Sequence, residues 1–301
     1  MSYNKPKFCS NATWNPNAIT WITSSIIGLS PYGIFINGMN TIYMTGQTKN
    51  LIFIWPDQID PIQKITSTFN SSKSIFVSIL NDIYIDNGYL KHRVDKWSYN
   101  LTYSGSVMNV SQNCYGLFID LNNTIYCSLA YYNQVIKSSM SNSIGMVTIA
   151  AGNGSNGSES HMLSSPRGIY VNLDFNLYVA DCGNNRIQLF PTGQLNGITL
   201  TQNIPLNCPT GIVLDADDYL FIVDSNNHRI IEVGPNGFQC LVGCLRTSGS
   251  SSNQLSFPQS MAFDSYGNIF VSDRNNNRIQ AFNLATNSCG KYILNKCNVL
   301  V

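Results

Sequence analysis

Between Ser165 and Phe190 the chain reads SPRGIYVNLDFNLYVADCGNNRIQLF. Two short apolar runs, residues 169–171 and 177–180, flank a tight polar turn at Asn172. Asp181 closes the second run, a Gly-Asn-Asn turn follows, and Arg186 opens a third run. Runs of this length bounded by turn residues read as successive strands of a meander. The same grammar recurs six times. With Gly168 as origin, the equivalent positions are Gly33, Ser74, Gly116, Gly211 and Ser260. The steps between them are roughly 41 to 52 residues, the length of one four-stranded propeller blade.

The frame holds at three further offsets. Asn37, Ser78, Asp120, Asn172, Asp215 and Asp264 stand four positions on. Their side chains can take up the backbone two residues ahead, so each predicts a hairpin turn. Ile42, Ile83, Ile125, Leu177, Leu220 and Ile269 stand nine on, followed by Tyr43, Tyr84, Tyr126, Tyr178, Phe221 and Phe270. An aliphatic and an aromatic side by side in every copy suit a pleated, half-buried strand.

Three copies add a polar signature. Asp181, Asp224 and Asp273 close the second strand, and Arg186, Arg229 and Arg278 follow five residues later. Asn184-Asn185, Asn226-Asn227-His228 and Asn275-Asn276-Asn277 fill the turns between. This pattern resembles the NHL repeat family, named for Asn-His-Leu at about this turn. The resemblance is specific in the last three copies. In the first three, Gly46, Asn87 and Leu129 replace the Asp, and Leu51 and Gln134 replace the Arg. The second copy keeps His92-Arg93-Val94 after a one-residue insertion. The expected fold is therefore all-β: a six-bladed β-propeller of four-stranded antiparallel blades, one domain over residues 1–301.

Ring closure has two candidates. Residues 18–24 read as a strand with no blade of their own, so they are expected to complete the sixth blade, in preference to residues 291–294. Closure of this kind removes an exposed sheet edge. Residues 152–165 form a long Gly/Ser/Asn loop with a twin at 247–252, and that composition predicts flexibility. In a propeller both loops share a face with the Asn-rich turns, and loops on one face of a rigid scaffold often carry function.

Composition narrows the function classes. Charged residues are 11% of the chain and the net charge is +1. A nucleic-acid module usually shows a basic balance or stripe, and neither is present. Nothing approaches the 18 or so consecutive apolar residues of a membrane-spanning helix. Residues 1–13 carry Lys5 and Lys7 with no apolar run behind them, unlike a secretory leader.

The residue before each origin is expected at the ring mouth. These residues are Tyr32, Lys73, Tyr115, Arg167, Thr210 and Gln259, a set suited to a peptide or glycan platform. The Asp181/Arg186, Asp224/Arg229 and Asp273/Arg278 pairs read as blade locks, because a catalytic group is needed once and these recur. His92, His161 and His228 show no short zinc-ligand spacing, so no metal and no cofactor are expected. The repeat frame pairs Cys114 with Cys127 on one face of blade three, Cys182 with Cys208 across neighbouring blades, and Cys9 with Cys289 near the seam. Those pairings point to an extracellular protein or ectodomain, with the cytoplasm as the alternative.

By resemblance, NHL propellers serve mostly as recognition platforms for proteins and in some cases for RNA, including behind RING domains of ubiquitin ligases. No RING pattern occurs here. Six-bladed relatives also include the peptidyl-amidating lyases, with a histidine-held zinc, and the calcium-holding gluconolactonase-like enzymes. The residues favour a non-catalytic, monomeric scaffold that takes a protein partner on the loop-bearing face. A metal-dependent lyase or hydrolase, and an RNA-binding or ubiquitin-ligase-associated module, are the alternatives.

Overall fold

The computed structural model describes residues 3–46, 48, 51–56, 63–66, 71–141, 146–234 and 237–288. These residues form six four-stranded antiparallel sheets and one two-stranded sheet. The inner strands of blades one to six are Pro31–Ile36, Ile75–Val77, Leu117–Ile119, Pro166–Val171, Pro209–Leu214 and Met261–Phe263. In blades one to five the chain then meanders outward through three more strands. In the sixth sheet the outer strand is Ile19–Thr23, which pairs with Arg278–Phe282. Residues 291–294 lie outside the described residues. Thr13–Trp14 and Leu284–Thr286 make the small extra sheet beside this seam.

The repeat offsets each have a physical cause. Asn172 accepts main-chain N–H bonds from Asp174 at 3.1 Å and Asn176 at 3.0 Å, which closes the first hairpin of its blade. Asn37, Asp120, Asp215 and Asp264 repeat this double acceptance, while Ser78 accepts from Asp82 alone. The aromatic of each second strand faces the inner strand, as in the pairs Phe35–Tyr43, Phe76–Tyr84 and Phe118–Tyr126. All six aromatics are buried. Around the axis Phe35, Phe76, Phe118 and Tyr170 touch in turn, with ring centroids 4.9 to 5.1 Å apart.

Glycine at the origin reflects close approach of neighbouring inner strands. A Cβ on Gly168 would lie 2.6 Å from the Thr210 carbonyl oxygen, and one on Gly116 would lie 2.6 Å from that of Arg167. Backbones that approach this closely leave no room for a side chain.

The three Asp/Arg pairs make salt bridges. Asp224 and Arg229 are essentially fully buried and meet at 2.7 Å. The same Asp224 oxygen accepts from the Asn227 amide at 2.8 Å, and its other oxygen takes the Asn207 main-chain N–H at 2.7 Å. Asp181/Arg186 and Asp273/Arg278 repeat the arrangement at 2.7 and 2.8 Å. Desolvation by burial outweighs the arginine in both, and it holds the Asp181 and Asp273 carboxyls above the usual carboxylate range.

The long loop departs from its composition. The Arg186 guanidinium grips the carbonyls of Ser158, Glu159 and Met162, and Leu163 is fully buried beneath the loop. Arg278 grips Ser250, Ser251 and Gln254 in the twin loop, over a fully buried Leu255. Gly/Ser/Asn content leaves the backbone carbonyls free, and an adjacent arginine collects them.

Cys114–Cys127 and Cys182–Cys208 are disulfides. Cys240–Cys244 is a third, which the repeat frame does not indicate. Cys9 is disulfide-bonded, and Cys289 lies outside the described residues.

Candidate functional site

The axial channel is a blind pocket. At one end Tyr3 stacks edge-on against Phe76, Phe118 and Tyr170, and its hydroxyl lies 3.0 Å from that of Tyr170. Asn4 donates to the carbonyls of Asn37 and Phe263, and Lys5 pairs with Asp218 at 2.5 Å. These contacts lay the amino-terminal segment across that mouth. Above it the pocket has a volume of about 120 Å³ and walls of Ile, Phe, Leu and Met from the inner strands.

The opposite mouth lies where the inner strands begin and the second strands end. Five of the six residues expected there, Tyr32, Lys73, Tyr115, Thr210 and Gln259, line the pocket, and Arg167 stands against two of them. Lys73 Nζ sits 4.6 Å from the Tyr32 ring centroid and 5.7 Å from that of Tyr115. Arg167 donates to the Tyr32 hydroxyl at 2.8 Å and covers the Tyr115 ring at 4.8 Å. Two further residues join from the turns after the second strands. Arg274 lies 5.9 Å from the Tyr32 ring, and the exposed Tyr131 meets Tyr115 at 6.3 Å. The rim is thus three cations held against the Tyr32 and Tyr115 rings, an arrangement ring quadrupoles favour, with Tyr131 packed edge-on against Tyr115.

The rim carries unspent hydrogen-bonding capacity. Among the described residues Arg167 Nε, Arg274 Nε and Gln259 Oε1 are buried without a partner, and Gln259 as a whole is only 5% exposed. Such groups are rarely left unmet in a folded protein. No Asp or Glu is among the described residues that line the pocket. Asp86 is fully buried beneath Lys73, where it accepts the main-chain N–H groups of Lys73 and Gly88. Burial pushes its carboxyl up to about 7. Burial, with Arg274 and Arg167 close by, pulls the Lys73 ammonium down to about 8, against the pull of Asp86.

The histidines do not join this site. His228 and His92 sit in turns of separate blades, and His161 lies on the 152–165 loop. Among the described residues no three His, Cys, Asp or Glu side chains gather as a metal site. No helix among them is long and apolar enough to cross a membrane.

The fold and site define a six-bladed propeller with a closed base and a cationic, tyrosine-lined mouth. The family model for the NHL repeat matches residues 206–231 and 255–282, so the chain is a six-bladed propeller that carries NHL repeats. No curated protein matches it by sequence. It is similar in structure to a protein of unknown function from Bacteroides thetaiotaomicron, with a TM-score of 0.73 and 13% identity over 89% of this chain and 76% of that one. It is also similar to an auxiliary nutrient binding protein from the same organism, with a TM-score of 0.69 and 12% identity over 95% and 76%. Virginiamycin B lyase from Staphylococcus aureus aligns with a TM-score of 0.64 and 14% identity over 91% and 100%. At these identities the likeness is one of fold.

Proposed function

We propose that the chain is a non-catalytic binding module whose loop-bearing face receives its partner at the axial mouth, with a protein partner foremost. The observation that carries this reading is the convergence of Lys73, Arg167 and Arg274 on Tyr32 and Tyr115, over an apolar pocket closed at its base. A surface built to be left alone would pair its cations with carboxylates, as the three Asp/Arg locks do elsewhere in the molecule. The nutrient-binding neighbour is consistent with this use of the fold. The three disulfides between described residues, together with the disulfide-bonded Cys9, favour an oxidising compartment.

A second reading, a lyase, draws on one observation: burial pulls the Lys73 ammonium pKa down to about 8, within reach of general-base chemistry, on a fold similar to that of virginiamycin B lyase. One experiment separates the two. Partners captured from the native environment by wild-type protein are compared with those captured by Arg167→Gln/Arg274→Gln. A partner recovered chemically intact, and lost from the double variant, supports the binding module. Recovery of a cleaved or eliminated product favours the lyase, and capture unaffected by the double variant removes the mouth as the binding surface.

A further inference from the structure

Resting on the reading of the axial mouth as the binding site, we infer that the pocket takes a carboxylate attached to one apolar or aromatic group, with the charge at the rim and the apolar group inside. The order of chemistry along the axis requires this orientation. The rim holds Lys73, Arg167 and Arg274, with two of the guanidinium Nε atoms buried and unpartnered. A carboxylate accepts several such donors in a planar geometry that arginine matches. Below the rim the walls are apolar, down to the Tyr3 ring at the base.

Size sets the apolar group. The cavity measures about 120 Å³. An engineered apolar cavity of about 150 Å³ holds one benzene molecule. One phenyl ring or one branched alkyl group therefore fits, and a folded segment or a second residue does not. Gln259 Oε1, buried and unpartnered at the wall, supplies an acceptor for one N–H on the carbon that bears the carboxylate. An acylated amino acid has such an N–H, so the chemistry fits either the last residue of a polypeptide or a free small acid.

The test is titration calorimetry on the full chain with N-acetyl-phenylalanine, its C-terminal amide, phenylacetate, and a five-residue peptide ending in Phe with a free carboxylate. The acid is expected to bind about tenfold to a hundredfold more tightly than the amide, since the amide forfeits the charge-assisted bonds. Arg274→Gln, checked for an unchanged melting temperature, is expected to weaken the acid and leave the amide nearly unmoved. Tighter binding of the peptide than of the acetylated residue assigns the site to a chain end, and the reverse order assigns it to a free acid. Equal affinity for acid and amide overturns the carboxylate assignment; if Arg274→Gln weakens both alike, the mouth still stands as the binding site. No binding of any acid at millimolar concentration also overturns the inference, while the partner-capture experiment decides the broader reading independently.

Discussion

Arg229 is 2% exposed and lies against a fully buried Asp224, which makes this pair the driest of the three blade locks. Arg186 and Arg278 keep 12% and 11% of their side chains in solvent. Removing one member of a buried pair leaves an uncompensated charge, at a cost of about 3–5 kcal/mol. Arg229→Met is therefore expected to lower stability by about that much, and Arg278→Met by less, because water can reach the abandoned Asp273. Chemical denaturation of the two variants measures the difference, and equal losses would show that burial does not set the cost. Lys73 yields a second expectation at this scale. Arg274, Arg167, the Tyr32 and Tyr115 rings and the carboxyl of Asp86 all face it. Because its ammonium is pulled down to about 8, rising pH removes one of three rim cations, while Asp86, at about 7, gains charge beneath it. Affinity for an anionic probe is expected to fall between pH 6 and 9.5, by about tenfold for the cation alone. Lys73→Met should flatten the upper half of that profile, and an unchanged profile would remove Lys73 from the site.

The turns after the second strands act as clasps between blades. Asn133, Asn185 and Asn277 adopt left-handed φ near 50 to 55°, and each side chain accepts the main-chain N–H that enters the next blade, at Ser165, Cys208 and Ser30. His228 occupies the same station with φ 54°, and its Nδ1 accepts from the Phe257 N–H at 3.2 Å. That bond requires Nδ1 to be unprotonated. Burial lowers the His228 pKa, with Asp273 and Asp224 opposing it. The folded value thus lies below the unfolded one, so the clasp's contribution is full above the unfolded pKa of about 6.5 and is lost as pH falls through the folded pKa. The loss should be about 1 kcal/mol, one hydrogen bond. His228→Asn supplies the acceptor used in the other blades without a titrating group. The difference in melting temperature between wild type and His228→Asn should therefore change with pH below 6.5, and a pH-independent difference would show that Nδ1 carries no clasp. Periodicity made the strands, the hairpin turns and the Asp/Arg locks legible before any coordinates, because each is repeated. The rim was legible only where it shares the offset before each origin. Arg274 and Tyr131 come from the turns after the second strands but at different offsets: Arg274 aligns with Ala130, Cys182 and Ser225, and Tyr131 with Gly183, Asn226 and Asn275, so no pattern marks either position. Cys240–Cys244 closes a five-residue loop around Gly243, whose φ of 69° turns the backbone, and this has no counterpart in the other blades.

At the scale of the whole molecule, the amino-terminal segment does two separate jobs. Residues 3–8 cover the base of the channel, where Phe8 packs against Trp14, Phe221 and Phe263. Ile19–Thr23 then pairs with the third strand of blade six, and Ser30 receives the Asn277 clasp across the same seam. Phe8, Trp14 and Ile22 are all buried. Each such side chain contributes about 1.5–3 kcal/mol, against a net stability of about 5–15 kcal/mol for a folded protein. Deleting residues 1–24 is therefore expected to abolish cooperative unfolding, because it also uncovers the edge of the third strand of blade six, Arg278–Phe282. Deleting residues 1–5 takes away Tyr3 and the Lys5–Asp218 pair but leaves the seam, so the ring should still unfold cooperatively with a melting temperature a few degrees lower. The larger deletion also removes the disulfide-bonded Cys9, so full-length Cys9→Ser is the control that separates loss of the bridge from loss of the strand. If the 1–24 deletion melts like that control, another segment completes the sixth blade. If it fails to fold while the control and the short deletion both melt cooperatively, the ring depends on a strand borrowed from the opposite end of the chain, and the plug can be removed independently of the closure.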